Sequence, residues 1–368
     1  VTGAWREGEP PGRRRFVSGV QALDTGGTLP FTLAYETWGT LNPSASNAVL
    51  VEHALTGDSH AVGPVEEGHV SPGWWDGLIG PGKAIDTDEF FVVVPNVLGG
   101  CQGSTGPSSA HPDGKSWGSR FPAVTVRDQV AAERLVADAL GIGRWAAVIG
   151  GSMGGMRALE WAVGEPERVA ALLVLASTAQ ASADQIAWAA PQLHAIRSDP
   201  GWHGGDYHDV SGGGPDTGLG IARRIAHATY RSEAELAQRF GHRHQDGEDP
   251  LRGGRFAIES YLDHHAGKLA RRFDAGSYVV LTESMNTHDV GRGRGGVANA
   301  LGRITARTVA AGVDSDRLYP LYQSRAIADG VAGAEFAVIA SPYGHDSFLI
   351  ETEQIGRLVK GLVSGNDG

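Results

Sequence analysis

Cysteine is all but missing from this chain. Cys101 stands alone among 368 residues, so no intrachain disulfide can form, and a reducing, cytoplasmic setting is expected. Long apolar runs are missing too. Nothing reaches the roughly 18 apolar residues that a membrane-spanning helix needs, and no membrane association is expected. Residues 1–30 contain Arg13-Arg14-Arg15 but no apolar h-region, which excludes a signal peptide from that stretch. Positive charge is in deficit: 31 Lys and Arg against 42 Asp and Glu leave a formal net charge of −11. That balance opposes nucleic-acid binding, which needs a basic footprint. The arginine triplet reads as a solvated leader. An anionic ligand would need a local cationic pocket set against the overall field.

Metal and cofactor signatures are also lacking. The segments His203 to Asp209 and His242 to Asp249 hold histidine and aspartate without the spacing of a zinc site, and both are expected to be solvated loops. Gly291-x-Gly293-x-x-Gly296 has the letters of a dinucleotide fingerprint, but no strand leads into it. No metal and no bound cofactor are therefore expected.

Glycine, by contrast, is abundant, at 54 residues. It makes Gly-x-Ser-x-Gly common by chance, and the pattern occurs twice, around Ser116 and around Ser152. Context separates the copies. Ser116 has no apolar strand before it, and Pro122 soon follows, which opposes a helix. Ser152 is preceded by the apolar run Ala146 to Ile149. It is followed by a run in which Met156, Leu159, Ala162 and Val163 recur at helical spacing. A serine on a sharp strand-to-helix turn is how an α/β-hydrolase presents a nucleophile, and Ser152 is the candidate.

The rest of the chain fits that fold. Apolar runs at 31–38, 48–51, 90–94, 145–149 and 169–175 read as strands, with helices over 126–140 and 153–164. Strands alternating with helices imply a mostly parallel sheet with helices on both faces. The rhythm changes near Ser177. Residues 178–304 read as helices separated by polar loops, with Tyr278 to Leu281 as one strand. Strands resume at 308–313 and 335–339, and a helix over 348–363 closes the chain. The expected organisation is an α/β-hydrolase core of residues 1–177 and 305–368, interrupted by a helical lid of residues 178–304. A chain this long needs no disulfide or metal to hold its core.

A serine nucleophile needs a base, and the base needs an orienting acid. In this fold the chain order is Ser, acid, His. His345 alone of the 14 histidines follows the last strand. For the acid, spacing does not choose between Asp314 and Asp316, both placed after strand 308–313. The oxyanion hole takes one backbone N–H from the residue after the nucleophile, Met153. It takes another from the segment after an early strand, where Leu55 is the candidate.

Several segments together carry a wider resemblance. They are Leu33-Ala34-Tyr35-Glu36-Thr37-Trp38-Gly39, His53-Ala54-Leu55-Thr56-Gly57, Gly73-Trp74-Trp75, Pro95 to Cys101, Gly150 to Glu160, Ala222-Arg223, Thr229-Tyr230-Arg231 and Gly344 to Leu349. Over nearly its whole length the chain resembles the homoserine O-acetyltransferases, α/β-hydrolase-fold acyltransferases of methionine biosynthesis. The resemblance implies Asp316 as the acid, and Arg223 and Asp346 as substrate ligands with Tyr230 beside them. It implies acetyl-CoA as co-substrate, L-homoserine as acceptor, and a homodimer through the helical lid. The physical chemistry agrees, because a guanidinium suits a carboxylate and a carboxylate suits an ammonium. Homoserine or serine O-succinyltransferases and deacetylcephalosporin C acetyltransferases share the resemblance. An esterase or a non-catalytic binding protein is the remaining alternative.

Overall fold

The apolar runs meet in one sheet. The structure is a computed structural model and describes residues 3–363. Its strands are β1 (Arg15–Ala22), β2 (Thr28–Trp38), β3 (Ala48–Glu52), β4 (Phe91–Pro95), β5 (Ala147–Gly151), β6 (Ala171–Leu175), β7 (Arg307–Val313) and β8 (Glu335–Ile339). They lie in the order β1-β2-β4-β3-β5-β6-β7-β8. β2 pairs antiparallel with β1 and β4, and every other pair is parallel. Every residue of β3, β4, β5 and β6 is buried. A parallel sheet covered on both faces produces such unbroken apolar runs.

β1 escaped the sequence reading because it is an edge strand with no buried residue and a polar sequence, RFVSGVQA. The arginine triplet is accordingly not a solvated leader. Arg15 opens β1. Arg14 is buried, its Nε donating to the Gln102 carbonyl at 2.9 Å and its Nη2 to Gln102 Oε1 at 3.0 Å.

Two helices flank the strand that ends at Ser152: α1 (Val126–Ala139), opened by a capping box between Thr125 and Asp128, and α2 (Met153–Gly164). Between β6 and β7 run α3 (Ala183–Arg197), α4 (Asp216–Tyr230), α5 (Glu233–Arg239), α6 (Ala257–Ala270), α7 (Ala275–Asn286) and α8 (Val297–Leu301). After β7 come α9 (Leu321–Gly330), α10 (Ser347–Ile350) and α11 (Thr352–Val363). The expected single closing helix is therefore two, broken at Glu351, where ψ is 54°. No helix among the described residues is long and apolar enough to cross a membrane.

Residues 278–281 are helical, not a strand. Tyr-Val-Val-Leu is a short, β-branched apolar run, and periodicity alone cannot tell a buried strand from a buried helix. The Asp274 side chain decides the matter by capping α7, accepting from the Ser277 amide at 2.8 Å. The same carboxylate draws two side chains of the 203–209 loop out of solvent, while His203, Asp206 and Asp209 stay exposed as expected. Tyr207 Oη donates to it at 2.7 Å and His208 Nε2 at 2.8 Å, with both side chains buried. The 242–249 loop does lie at the surface. Asp274→Ala removes a helix cap and leaves two buried donors unpaired. It is expected to lower the unfolding free energy by about 3 kcal/mol, measured by urea denaturation.

Candidate active site

Ser152 sits where β5 ends and α2 begins, with φ 56° and ψ −123°. A non-glycine residue in the left-handed region costs on the order of 1–3 kcal/mol, and the surroundings must hold it there. The Ser152 amide donates to the Leu175 carbonyl at 2.9 Å, and Ser177 Oγ donates to the Ser152 carbonyl at 2.7 Å. Two glycines make room for the turn. A Cβ at Gly150 would lie 2.1 Å from the Gly154 carbonyl oxygen, and one at Gly154 would lie 2.1 Å from the Glu52 carbonyl oxygen.

The turn delivers the hydroxyl to a relay. His345 follows β8 and Asp316 follows β7. His345 Nδ1 lies 2.7 Å from Asp316 Oδ2, and its Nε2 lies 2.8 Å from Ser152 Oγ. An ionised carboxylate only accepts, so Nδ1 carries the proton and Nε2 is free to accept from the serine. Asp316 is itself held by the Leu318 and Tyr319 amides, which donate to Oδ1 at 2.8 and 2.9 Å. Asp314 instead accepts from the Ser341 amide at 3.0 Å. The ambiguity that spacing left is thus resolved by which carboxylate reaches the imidazole. The Tyr319 ring stacks on His345 at 4.9 Å and Phe348 meets it edge-on at 5.3 Å, which fixes the ring plane. Ser116 has no such partner: its Oγ and amide both donate to Asp209.

Leu55 lies in the turn after β3 and Met153 is the first residue of α2. Among the described residues, neither amide donates to another protein group. One buried side chain links their two segments. Arg157 of α2 donates from Nη2 to the His53 carbonyl at 2.7 Å. Its Nη1 lies 2.7 Å from both Glu52 and Glu133 carboxylates. Burial, opposed by Arg157 and reinforced by Glu133, pushes the Glu52 carboxyl well up. The sequence reading missed this residue, because nothing in a helical arginine's neighbours along the chain shows that it is fully buried.

Arg223 and Asp346 line one cavity of about 350 Å³. Arg223 lies over the Tyr230 ring at 5.4 Å, and its buried Nε and Nη1 have no hydrogen-bond partner among the described residues. Asp346 lies 3.5 Å from Arg231 Nε. Burial raises its carboxyl, against the pull of Arg231 and Arg223. Arg231 is thus a member of the charged group that sequence reasoning left without a role, although it adjoins Tyr230. The lining of a second, smaller cavity of about 50 Å³ includes Leu55, Tyr230 and Tyr319.

Residues 47–352 match the alpha/beta hydrolase fold family. A homoserine O-acetyltransferase of Thermobifida fusca is 69% identical over 99% of this chain and 97% of its own length. One of Nocardia farcinica is 58% identical over 98% and 94%. The chain belongs to the homoserine O-acetyltransferase family. Solved structures show how widely this scaffold is shared. The homoserine O-acetyltransferase of Bacillus anthracis superposes with TM-score 0.87 at 28% identity, covering 95% of this chain and 97% of that one. Esterase E22 superposes with TM-score 0.86 at 27% identity, covering 95% and 99%.

This family member carries one further cluster, away from the serine. Glu36, His60 and His69 bring donor atoms within 4.8 Å of one another. The two rings stack at 3.9 Å and 11°. An imidazole lone pair lies in its ring plane, so two stacked parallel rings cannot both aim at one ion. The His69 lone pair also accepts from the Arg13 amide at 3.2 Å. His60 faces Glu36 Oε2 and the Pro64 carbonyl, each at 3.1 Å and each only an acceptor, which suits an imidazolium. Burial is the largest single effect and opposes that charge, but the hydrogen bond and charge of Glu36, with the Pro64 carbonyl and Asp58, together raise the His60 pKa. The cluster is built as an ion pair.

Replacing Arg157 with leucine leaves the buried Glu133 and Glu52 carboxyl groups without their cation. The variant is expected to lose about 3–5 kcal/mol of unfolding free energy in a denaturant titration.

Proposed function

We propose that this protein transfers the acetyl group of acetyl-CoA to the γ-hydroxyl of L-homoserine through an acetyl-serine intermediate. The observation that carries the reading is the relay of 2.7 and 2.8 Å from Asp316 through His345 to Ser152. In the first half-reaction His345 Nε2 takes the Ser152 proton as Oγ attacks the thioester carbonyl. Asp316 steadies the imidazolium. The amides of Met153 and Leu55 face the tetrahedral oxyanion, which collapses with loss of the thiolate, and His345 returns its proton to the sulfur. The acceptor hydroxyl then gives its proton to His345, attacks the acetyl-serine carbonyl, and releases Ser152 Oγ, which recovers the proton.

What favours an amino-acid acceptor over water is the charged pair beside the relay. Arg223, with unpartnered N–H groups, takes the carboxylate, with Tyr230 beneath it. Asp346 takes the ammonium and adjoins His345 in the chain, so the acceptor's hydroxyl is turned to the base. In this reading residues 1–177 and 305–368 form the catalytic core, and residues 178–304 form a lid that limits water. Ser232 of that segment hydrogen-bonds the Pro342 carbonyl beside His345. Exposed Ile186, Trp188 and Ile221 on α3 and α4 give the lid an apolar surface for a homodimer, and the buried, free Cys101 suits the cytoplasm.

Acetyl-CoA alone is expected to leave one acetyl group on the peptide containing Ser152, read by mass spectrometry. An adduct on another residue overturns the mechanism. Ser152→Ala is expected to abolish the adduct and lower kcat by about 10⁵–10⁶-fold, and Asp316→Asn by about 10⁴-fold. Release of acetate without homoserine would make the protein an esterase, and preference for succinyl-CoA would make it a succinyltransferase. The raised Asp346 carboxyl predicts a pH effect. It protonates at a higher pH than the ordinary 3.8, so KM for homoserine is expected to climb as pH falls towards that point. Asp346→Asn is expected to have a high KM that no longer varies with pH over that range.

A further inference from the structure

The cavity that holds Arg223 and Asp346 has more positive charge than an amino-acid acceptor uses. Its lining includes four cations, Arg223, Arg231, Lys268 and Arg272, against two acids, Asp58 and Asp346. The whole chain carries −11, so this concentration runs against the global field and focuses anions there. An acceptor zwitterion occupies Arg223 and Asp346, and Asp346 has Arg231 as its neighbour at 3.5 Å. Arg272 has Asp58 as its acid neighbour, and Lys268 remains.

Their surroundings point to a ligand. Lys268 is exposed at the end of α6, and among the described residues its ammonium has no acid partner. Arg272 donates from Nη1 to the Thr56 carbonyl at 2.8 Å, which anchors the guanidinium beside the oxyanion turn. A second observation is independent of these charges. His227 lines the same cavity and is 3% exposed, yet its buried Nδ1 has no hydrogen-bond partner while Nε2 meets Tyr261 Oη at 2.8 Å. Burial and the Arg223 charge hold this imidazole down at about 2, so it offers a neutral polar contact.

We propose that Lys268 binds a phosphate group of the acyl-CoA donor, with the acyl thioester reaching inward past Arg272 to Ser152. The proposal rests on the donor reading above. A coenzyme A thioester carries its phosphates at the far end of the pantetheine arm from the reacting carbonyl. Its phosphate-binding groups therefore belong at the solvent end of the cavity, where Lys268 is exposed. One ammonium–phosphate contact is worth about tenfold in affinity.

The test compares acetyl-CoA, acetyl-dephospho-CoA and S-acetylpantetheine, which has no phosphate, on wild type, Lys268→Ala and Lys268→Glu. The kcat/KM preference for acetyl-CoA over S-acetylpantetheine is expected to fall about tenfold in Lys268→Ala and further in Lys268→Glu, through KM rather than kcat. The acetyl-dephospho-CoA arm shows which phosphate is lost. Equal losses on acetyl-CoA and S-acetylpantetheine would mark Lys268 as merely structural and overturn the proposal. So would a wild type indifferent to the phosphates, or variants that match wild type on all three donors. A wild type that forms no acetyl-serine from any donor overturns the donor reading itself, and this proposal with it.

Discussion

The Arg157 guanidinium sits with no solvent exposure among the Glu52 and Glu133 carboxylates and the His53 carbonyl. Those partners belong to the end of β3, the turn after it, and α1, while Arg157 itself belongs to the helix that starts at Ser152. A buried charge of this kind is a weak source of net stability, because desolvation consumes most of the attraction. Its consequence is geometric. Two charged groups left unpaired in the core would cost several kcal/mol, so the four segments have one low-energy arrangement. That arrangement places the Leu55 and Met153 amides on segments tied to each other. The strained Ser152 backbone depends on the same packing, since α2 approaches β3 so closely that Gly154 has no room for a Cβ beside the Glu52 carbonyl.

Charge is sorted locally, at the cavity that Asp346 lines: Arg223, Arg231, Lys268 and Arg272 line it too. The sorting matters because the scaffold itself is indifferent to outcome. An esterase and a homoserine O-acetyltransferase superpose on this chain almost equally well, and a fold shared that widely does not choose between water and an amino-acid hydroxyl as acceptor. This chain adds to the scaffold an arginine with unpartnered N–H groups, a carboxylate next to His345 in the chain, and aromatic rings that pack on its imidazole.

Much of this was legible in the sequence, for identifiable reasons. Strands β3 to β6 are buried on both faces and therefore appear as unbroken apolar runs. The Ser152 turn is marked by its strand before, helix after and glycines between. His345 stands out because one histidine follows the last strand. The misreadings have reasons of their own. β1 lies at the sheet edge with no apolar alternation to announce it. Residues 278–281 have a strand-like composition inside a helix capped by Asp274. Arg14 and His208 sit in polar stretches that resemble solvated loops, and their buried partners, Gln102 and Asp274, are distant in the chain.

Local order therefore belonged to the sequence by itself: which runs are strands, where the serine turn lies, that no disulfide can form, and that the chain carries a net negative charge. These properties depend on neighbours within a few residues, and the 3.6-residue and two-residue periods record them directly. Tertiary structure decided the pairings. Asp316 rather than Asp314 reaches His345, Arg231 joins Asp346, Arg157 bridges three segments, and Glu36 pairs with His60 where stacked rings exclude a shared ion. Each of these depends on which side chains the sheet order and loop packing bring within hydrogen-bond or ion-pair reach, and partners such as Ser152 and His345 lie 193 positions apart in the chain.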